Sequence, residues 1–112
     1  MLPKINRLKK DKDIETVFKQ GDGFKQGFLY LKIRKNNLET SRFAFVISKK
    51  FSKKAVIRNK TRRRLSEIIK TKLLEIKKGR DVMIVVMPGA ENDFQKLGQI
   101  IDKLFKKAGI IK

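Results

Sequence analysis

Cysteine and histidine are both absent from the 112-residue chain. Without them there are no disulfides, thiolate nucleophiles, imidazole bases or common zinc sites to consider, and the lack of cysteine fits a reducing cytoplasm. Tryptophan is missing too, and the one tyrosine is Tyr30. Acidic residues are scarce: 11 Asp and Glu against 30 Lys and Arg leave a formal charge of +19. Such an excess repels itself and weakens the compact state unless a polyanion neutralises it, so the expected partner is a nucleic acid or a strongly anionic surface. Long apolar runs are also lacking. The best, Val82–Met87, is far shorter than the ~20 residues that span a bilayer, and the N-terminus has no apolar signal-peptide region. What remains is the expectation of a soluble, cytoplasmic protein whose 40% apolar residues supply one core.

The charge is not spread evenly. From Ser48 to Glu67 the chain reads SKKFSKKAVIRNKTRRRLSE, with nine Lys or Arg and one acid. An apolar run, Phe43–Ile47, precedes this block, and the periodic series Leu65, Ile68, Ile69, Leu73, Ile76 follows it. The block therefore joins a strand to a helix and is held at both ends, unlike a disordered basic tail or a simple solvated face.

Residues 1–10 form a basic leader with the composition of a flexible arm, its only apolar anchors being Leu2, Ile5 and Leu8. Asp11 or Asp13 can cap a short amphipathic helix with Ile14, Val17 and Phe18 at helical spacing, ended by Gly21 or Gly23. Gly27–Arg34 alternates as a strand: Leu29, Leu31 and Ile33 make a core face, and Phe28, Tyr30, Lys32 and Arg34 a face that mixes rings with cations. Asn36 and Asn37 suit a turn, so Arg42–Ser48 is expected to return as the second strand of a hairpin, leaving a shallow trough beside Tyr30. The long helix is expected from Val56 or Ile57 to Lys77. At ~100° per residue its stripe of Leu65, Ile69, Leu73 and Ile76 also takes in Arg58 and Arg62, with Asn59, Arg63 and Ser66 flanking and Lys60 and Arg64 pointing away. An unpaired buried Arg is prohibitively costly, so the helix start must project beyond the core toward something wet or anionic. Asp81–Met87 reads as a covered, central strand ended by Pro88 and Gly89. Asn92 or Asp93 then opens a last helix through Phe94, Leu97, Ile101, Leu104 and Phe105 to Gly109. The order of helix, two or three strands, helix, strand, helix predicts an α+β sandwich with a small sheet, one RNA-binding domain over residues 1–112.

No catalytic set emerges. Asp11, Asp13 and Glu15 are the one acidic cluster, and at a helix start they serve as cap and dipole partners sooner than as a metal site. Gly21, Gly23 and Gly27 miss the dinucleotide fingerprint in both spacing and context. Any reaction must draw its reacting groups from a partner. Arginine forks on a fixed scaffold suit phosphate oxygens. The face carrying Phe28 and Tyr30 offers stacking to unpaired bases, which favours RNA over duplex DNA. For Phe18 and Tyr30 the competing role is core packing.

SKK at Ser48–Lys50, AVIRN at Ala55–Asn59, and then Arg62 and Arg63 together resemble the arginine-rich signature of the bacterial ribonuclease P protein component. RLKKDKDIETVFKQG at Arg7–Gly21 and FLY at Phe28–Tyr30 extend the resemblance over essentially the whole chain. It implies a protein subunit of a ribonucleoprotein endoribonuclease that removes the 5′ leader of precursor tRNA, with the catalytic centre in the RNA. It also implies a two-layer α/β sandwich, a small mixed sheet and a left-handed βαβ crossover, against the usual right-handed rule. The implied partners are the ribonuclease P RNA subunit and precursor tRNA, with neither a membrane nor a protein partner required. Mg2+ or a similar divalent ion would act in the holoenzyme, held mainly by RNA, with none bound by the protein alone. Carried over by position, a leader cleft takes Phe18, Tyr30, Ser48, Lys49, Arg58 and Arg62. The arginine-rich motif takes Lys53, Lys54, Arg58, Asn59, Lys60, Arg62 and Arg63; no residue is assigned a catalytic or metal role. Ile14 stands where the family often has an aromatic residue, and Lys60 and Ser66 stand where many members carry Arg. The alternative is a structural, ribosomal-type RNA-binding protein without a processing role.

Overall fold

The computed structural model describes residues 2–47, 49–87 and 94–112. In order, the chain forms a 3-10 turn (Lys4–Asn6), α1 (Asp11–Gln20), β1 (Asp22–Gln26), β2 (Leu29–Lys35), β3 (Arg42–Ile47), α2 (Ala55–Lys72), β4 (Arg80–Val86) and α3 (Phe94–Ala108). The four strands lie in the order β1-β2-β4-β3. β4, almost wholly apolar, is interior: it pairs antiparallel with β2 and parallel with β3.

This arrangement overturns the expected hairpin between β2 and β3, which are not neighbours. A strand apolar on both faces gains most from two partners, and β4 finds them by inserting between β2 and β3. The tight hairpin lies one strand earlier, between β1 and β2, turning at Gly27 with a φ of 58°. A side chain other than glycine would be strained there.

One face of the sheet carries Leu29, Leu31, Ile33, Phe43, Ile47, Val82, Ile84 and Val86. These pack on Leu65, Ile68 and Ile69 of α2 and on Leu97, Ile101, Leu104 and Phe105 of α3. Each fully buried aliphatic side chain contributes about 1.5–3 kcal/mol, so this layer dominates the hydrophobic stabilisation. Among the described residues the opposite face packs on α1 and on Leu8 of the N-terminal segment, in a small cluster of Val17, Ile14, Leu8, Ala44, Met83 and Val85. Part of that second face stays open among the described residues, and the candidate side chains Phe18, Tyr30 and Lys32 are found there.

Two helix boundaries differ from expectation. Lys10, in extended conformation and with no side-chain cap, precedes α1, so Asp11 and Asp13 sit inside the first turn and act on the helix dipole instead of capping it. α2 ends at Lys72, not at Lys77. Beyond it the C-terminal segment competes for the backbone. The Lys77 N–H donates to the Ile110 carbonyl at 2.7 Å, the Lys112 N–H donates to Glu75 at 2.8 Å, and Ile76 bridges Ile111. Ile76 is buried all the same, but through this bridge and not through a helical stripe.

The N-terminal segment lies along the outer edge of β3. Arg7 forms a parallel bridge with Phe43, the Leu8 N–H donates to the Phe43 carbonyl at 2.9 Å, and Asn6 Nδ2 donates to Ser41 O at 2.8 Å. Leu2 and Leu8 are buried, whereas Ile5 is exposed. The segment thereby covers an edge that would otherwise present unpaired backbone groups. The expected strand stop at Pro88 and Gly89 and the helix start at Asn92 or Asp93 lie outside the described residues. Among those described, no helix is long and apolar enough to cross a membrane.

Candidate nucleic-acid interface

Alternation along β2 sends Tyr30 and Lys32 to the open face, and helical spacing on α1 brings Phe18 over the same place. Phe18 is 58% exposed, which decides against core packing for its ring. Lys32 Nζ lies 5.6 Å from the Phe18 ring centroid and 5.9 Å from that of Tyr30, so one ammonium holds both rings through cation–π attraction. Tyr30 itself is half-buried. It leans over Gly23 so closely that a Cβ there would fall 2.1 Å from its hydroxyl oxygen. From Tyr30 the register continues across the sheet to Val85 and then Val46, the latter 39% exposed. Tyr30, Val85 and Val46 thus share one row across the open face, and the strand beside Tyr30 is β4 and not the expected hairpin partner β3.

β3 ends at Ile47 and leads through a basic loop into α2. Ser48, assigned to the cleft by resemblance, lies outside the described residues. Lys49, Lys53, Lys54, Asn59, Lys60, Arg62 and Arg63 are all exposed, and Arg58 is half-buried. Arg58 Nη1 donates to the Ser52 carbonyl at 2.9 Å, which ties the helix start to its loop, and Arg62 Nη1 donates to Asn59 Oδ1 at 3.0 Å. As expected from the stripe, Leu65 and Ile69 enter the core while the arginines one and two turns earlier stay at its margin.

A groove of about 300 Å3 runs along β3 between α1, α2 and the N-terminal segment. Leu8, Ile14, Ala44 and Phe45 supply apolar lining, and Arg7, Lys9, Arg62 and Arg63 supply charge. Phe18 and Tyr30 do not line it, so the structure separates the sequence candidates into a ring site on the sheet face and a cation site at the β3 edge. Arg7 and Lys9 were not assigned to a site by sequence. Lys32 was legible in the β2 alternation, whereas Arg7 and Lys9 join the site only through pairing with β3, which has no local signature.

Four carboxylates are engaged in ion pairs of their own. Asp81 is buried and binds Arg42 and Asn36, Asp13 lies 3.6 Å from Arg42, Glu15 pairs with Lys19, and Asp102 pairs with Lys72. Hydrogen bonding to Asp81 raises the Arg42 pKa above its already high ordinary value, against the lowering effect of partial burial. Among the described residues no group of three or more acids is placed to hold a metal ion.

Comparison with known proteins accords with this geometry. The family model for ribonuclease P matches residues 2–109. A ribonuclease P protein component from Synechocystis is 36% identical, the match covering 98% of this chain and 90% of that protein. The solved Thermotoga maritima RNase P protein superposes with a TM-score of 0.82 at 28% identity, covering 90% of this chain and 96% of the other. The Staphylococcus aureus RNase P protein gives a TM-score of 0.87 over 96% and 98% of the two chains, and at 22% identity that likeness speaks for the fold alone. These matches support a ribonuclease P subunit and not a ribosomal-type structural protein. The chain belongs to the ribonuclease P protein component family.

Proposed function

We propose that this subunit of an endoribonuclease holds the single-stranded 5′ leader of precursor tRNA on the open sheet face, while the arginine-rich start of α2 lies against the RNA subunit. The observation that carries the reading is the exposed Phe18 ring beside Tyr30, with the Lys32 ammonium between them. Two stacking surfaces and a cation match the bases and phosphates of an unpaired strand. Across the sheet, the row of Tyr30, Val85 and Val46 leads toward the loop carrying Lys49, Lys53 and Lys54, so a strand laid along it meets rings first and cations afterwards. The chain offers no histidine or cysteine, and its described acids form no cluster of three or more, which favours a catalytic centre in the RNA. A divalent ion such as Mg2+ would activate water and steady the leaving oxygen there, held mainly by RNA. The protein's own part is to neutralise phosphates and orient the leader, working in the cytoplasm without a further protein partner.

Reconstitution with the cognate RNA subunit tests this. The protein should tighten binding of precursor tRNA more than of mature tRNA and lower the Mg2+ concentration needed for cleavage. Equal tightening of both substrates would reject the leader-binding role.

A further inference from the structure

We infer that the end of the molecule opposite the arginine-rich helix start is a docking surface for another protein, an acidic segment that presents apolar side chains to it. The surface lies outside both the ring site and the cation site and goes beyond the function proposed above. Leu73 and Leu74 follow directly on the 18 residues of α2, so they stand roughly 27 Å from its first turn. There a groove of about 140 Å3 has Leu73 and Ile76 on one side and Asn6, Thr40 and Ser41 on the other. Three large apolar side chains are exposed beside this lining: Ile5 next to Asn6, Leu38 next to Glu39, and Leu74, 90% in solvent, next to Leu73. Single exposed apolar residues are ordinary, but three gathered from separate segments at one groove form a patch of the kind that marks an interaction site.

The patch is held together by hydrogen bonds. Asn36 closes the loop that carries Leu38: its Nδ2 donates to the Thr40 carbonyl at 3.2 Å, and its Oδ1 accepts the Leu38 N–H at 2.7 Å. Thr40 Oγ1 donates to the Ile5 carbonyl at 3.3 Å, and Ser41 Oγ donates to the Lys77 carbonyl at 2.6 Å. The loop, the N-terminal segment and the turn after α2 are therefore fixed to one another before a partner arrives, which lowers the ordering cost of binding.

The chemistry selects the partner. Aliphatic side chains give unpaired bases no ring to stack on, and Glu39 in the groove wall repels phosphate, which argues against RNA. The same carboxylate is equally unsuited to anionic lipid headgroups. A second copy would set a formal charge of +19 against +19. A protein segment fits if its apolar side chains enter between Leu73 and Ile76 and cover Ile5, Leu38 and Leu74, while its acids meet the exposed Lys4, Lys77 and Lys78 and leave Glu39 and Glu75 to solvent. The charge of the whole chain steers an acidic segment toward it. Cleavage needs no such partner; the contact tethers the holoenzyme to one.

The photocrosslinking amino acid p-benzoylphenylalanine, placed at position 74 of the chain in living cells, tests the surface in the assembled holoenzyme. The expected product is a crosslink to a protein segment in which acids outnumber bases and apolar side chains recur. A synthetic copy of that segment should bind the reconstituted holoenzyme, and a scrambled peptide of the same composition should bind at least about tenfold more weakly. L38S/L74S should weaken binding of the synthetic peptide about tenfold, the scale of losing apolar anchors at the centre of an interface. K78E should weaken it by at least about twice the factor of K12E, which makes the same charge change on α1. Crosslinks to RNA, to lipid or to a second copy overturn the inference, as does the absence of a crosslink or a peptide that binds L38S/L74S as well as wild type. Should the loop carrying Leu38 shift, L74S alone makes the same comparison. L38S/L74S should cleave precursor tRNA at the wild-type rate and keep its preference over mature tRNA; a loss of either would assign the surface to RNA binding and overturn the inference. If the wild type itself fails to prefer precursor tRNA, the functional reading above falls, while the docking surface is still decided by the crosslink.

Discussion

Arg42 grips Asp81 with two parallel hydrogen bonds, Nε to Oδ1 at 2.8 Å and Nη2 to Oδ2 at 2.7 Å. The parallel register of β3 and β4 makes them direct neighbours, and Asn36 Nδ2 adds a third bond to Oδ1 at 2.7 Å. Asp13 of α1 stands 3.6 Å from the same guanidinium, so one arginine connects two strands and the helix that carries Phe18. D81N keeps the shape but leaves the half-buried Arg42 without its principal carboxylate. Breaking a largely buried pair in this way should cost about 2–4 kcal/mol, read as a lower urea midpoint at unchanged slope. A loss below about 1 kcal/mol would mean that Asp13 or solvent compensates. The pH dependence follows from the sign of the shift. A cation whose folded pKa is raised contributes stability that is fully present below its unfolded pKa and lost as pH rises through the folded one. For Arg42 that window is strongly alkaline, so its contribution should stay constant from about pH 5 to 10.

Phe18→Ala separates binding from folding. With 58% of the residue in solvent, truncation should shift stability by no more than about 0.5 kcal/mol. If a base stacks on the ring, affinity for a leader-bearing precursor should fall by about 1–3 kcal/mol, and affinity for mature tRNA should not change. Filter binding of the two RNAs to wild-type and F18A holoenzyme makes the comparison. An equal loss for both would remove Phe18 from the leader site.

Replacing Arg58 and Arg62 together with Ala should flatten the salt dependence of leader-bearing precursor binding by roughly 1–2 units of slope, one or two phosphates being released. Arg58 also anchors the Ser52 carbonyl, so Arg58→Lys is the useful partner variant: it retains a charge and loses the fork. If the slope recovers with Lys but affinity does not, forked geometry matters; an unchanged slope in the double Ala variant would show that neither residue contacts phosphate.

Much of this architecture was legible because hydrophobic patterning is local. The β2 alternation placed Leu29, Leu31 and Ile33 inside, and the two-sided apolar run of β4 announced an interior strand. The expected order of two or three strands left room for β1 without placing it, because DGFKQ has no alternating apolar face; it is a strand because β2 offers it an edge. The β2–β3 hairpin failed for the complementary reason: turn chemistry at Asn36 and Asn37 shows that the chain reverses, not which strand comes to lie between. α2 stopped early because residues 110–112, far away in sequence, capture the backbone of residues 75–77. The Arg42–Asp81 pair, joining two strands whose pairing no local pattern specifies, was hidden for the same reason. The rings and arginines of the site were visible by type and spacing, while their division between the sheet face and the β3 edge required the fold.

Gly23 gives the sharpest test of the ring site, because it acts on Tyr30 without altering it. A Cβ at position 23 would lie 2.1 Å from the Tyr30 hydroxyl oxygen and 2.9 Å from Cζ, distances that force the ring to move. The Tyr30 backbone is held by strand pairing on both sides, so its ring is expected to yield by swinging away from β1. That swing changes its distance from Lys32 and Phe18. G23A should therefore lose most of what Tyr30→Ala loses in leader binding, about 1–3 kcal/mol. The two substitutions should not add: G23A/Y30A should bind the leader-bearing precursor as Y30A does, within about 0.5 kcal/mol, since once the ring is gone the new methyl group has nothing to displace. Additive losses would place the effect of G23A in the β1 backbone and leave Tyr30 without its assigned part in holding the leader.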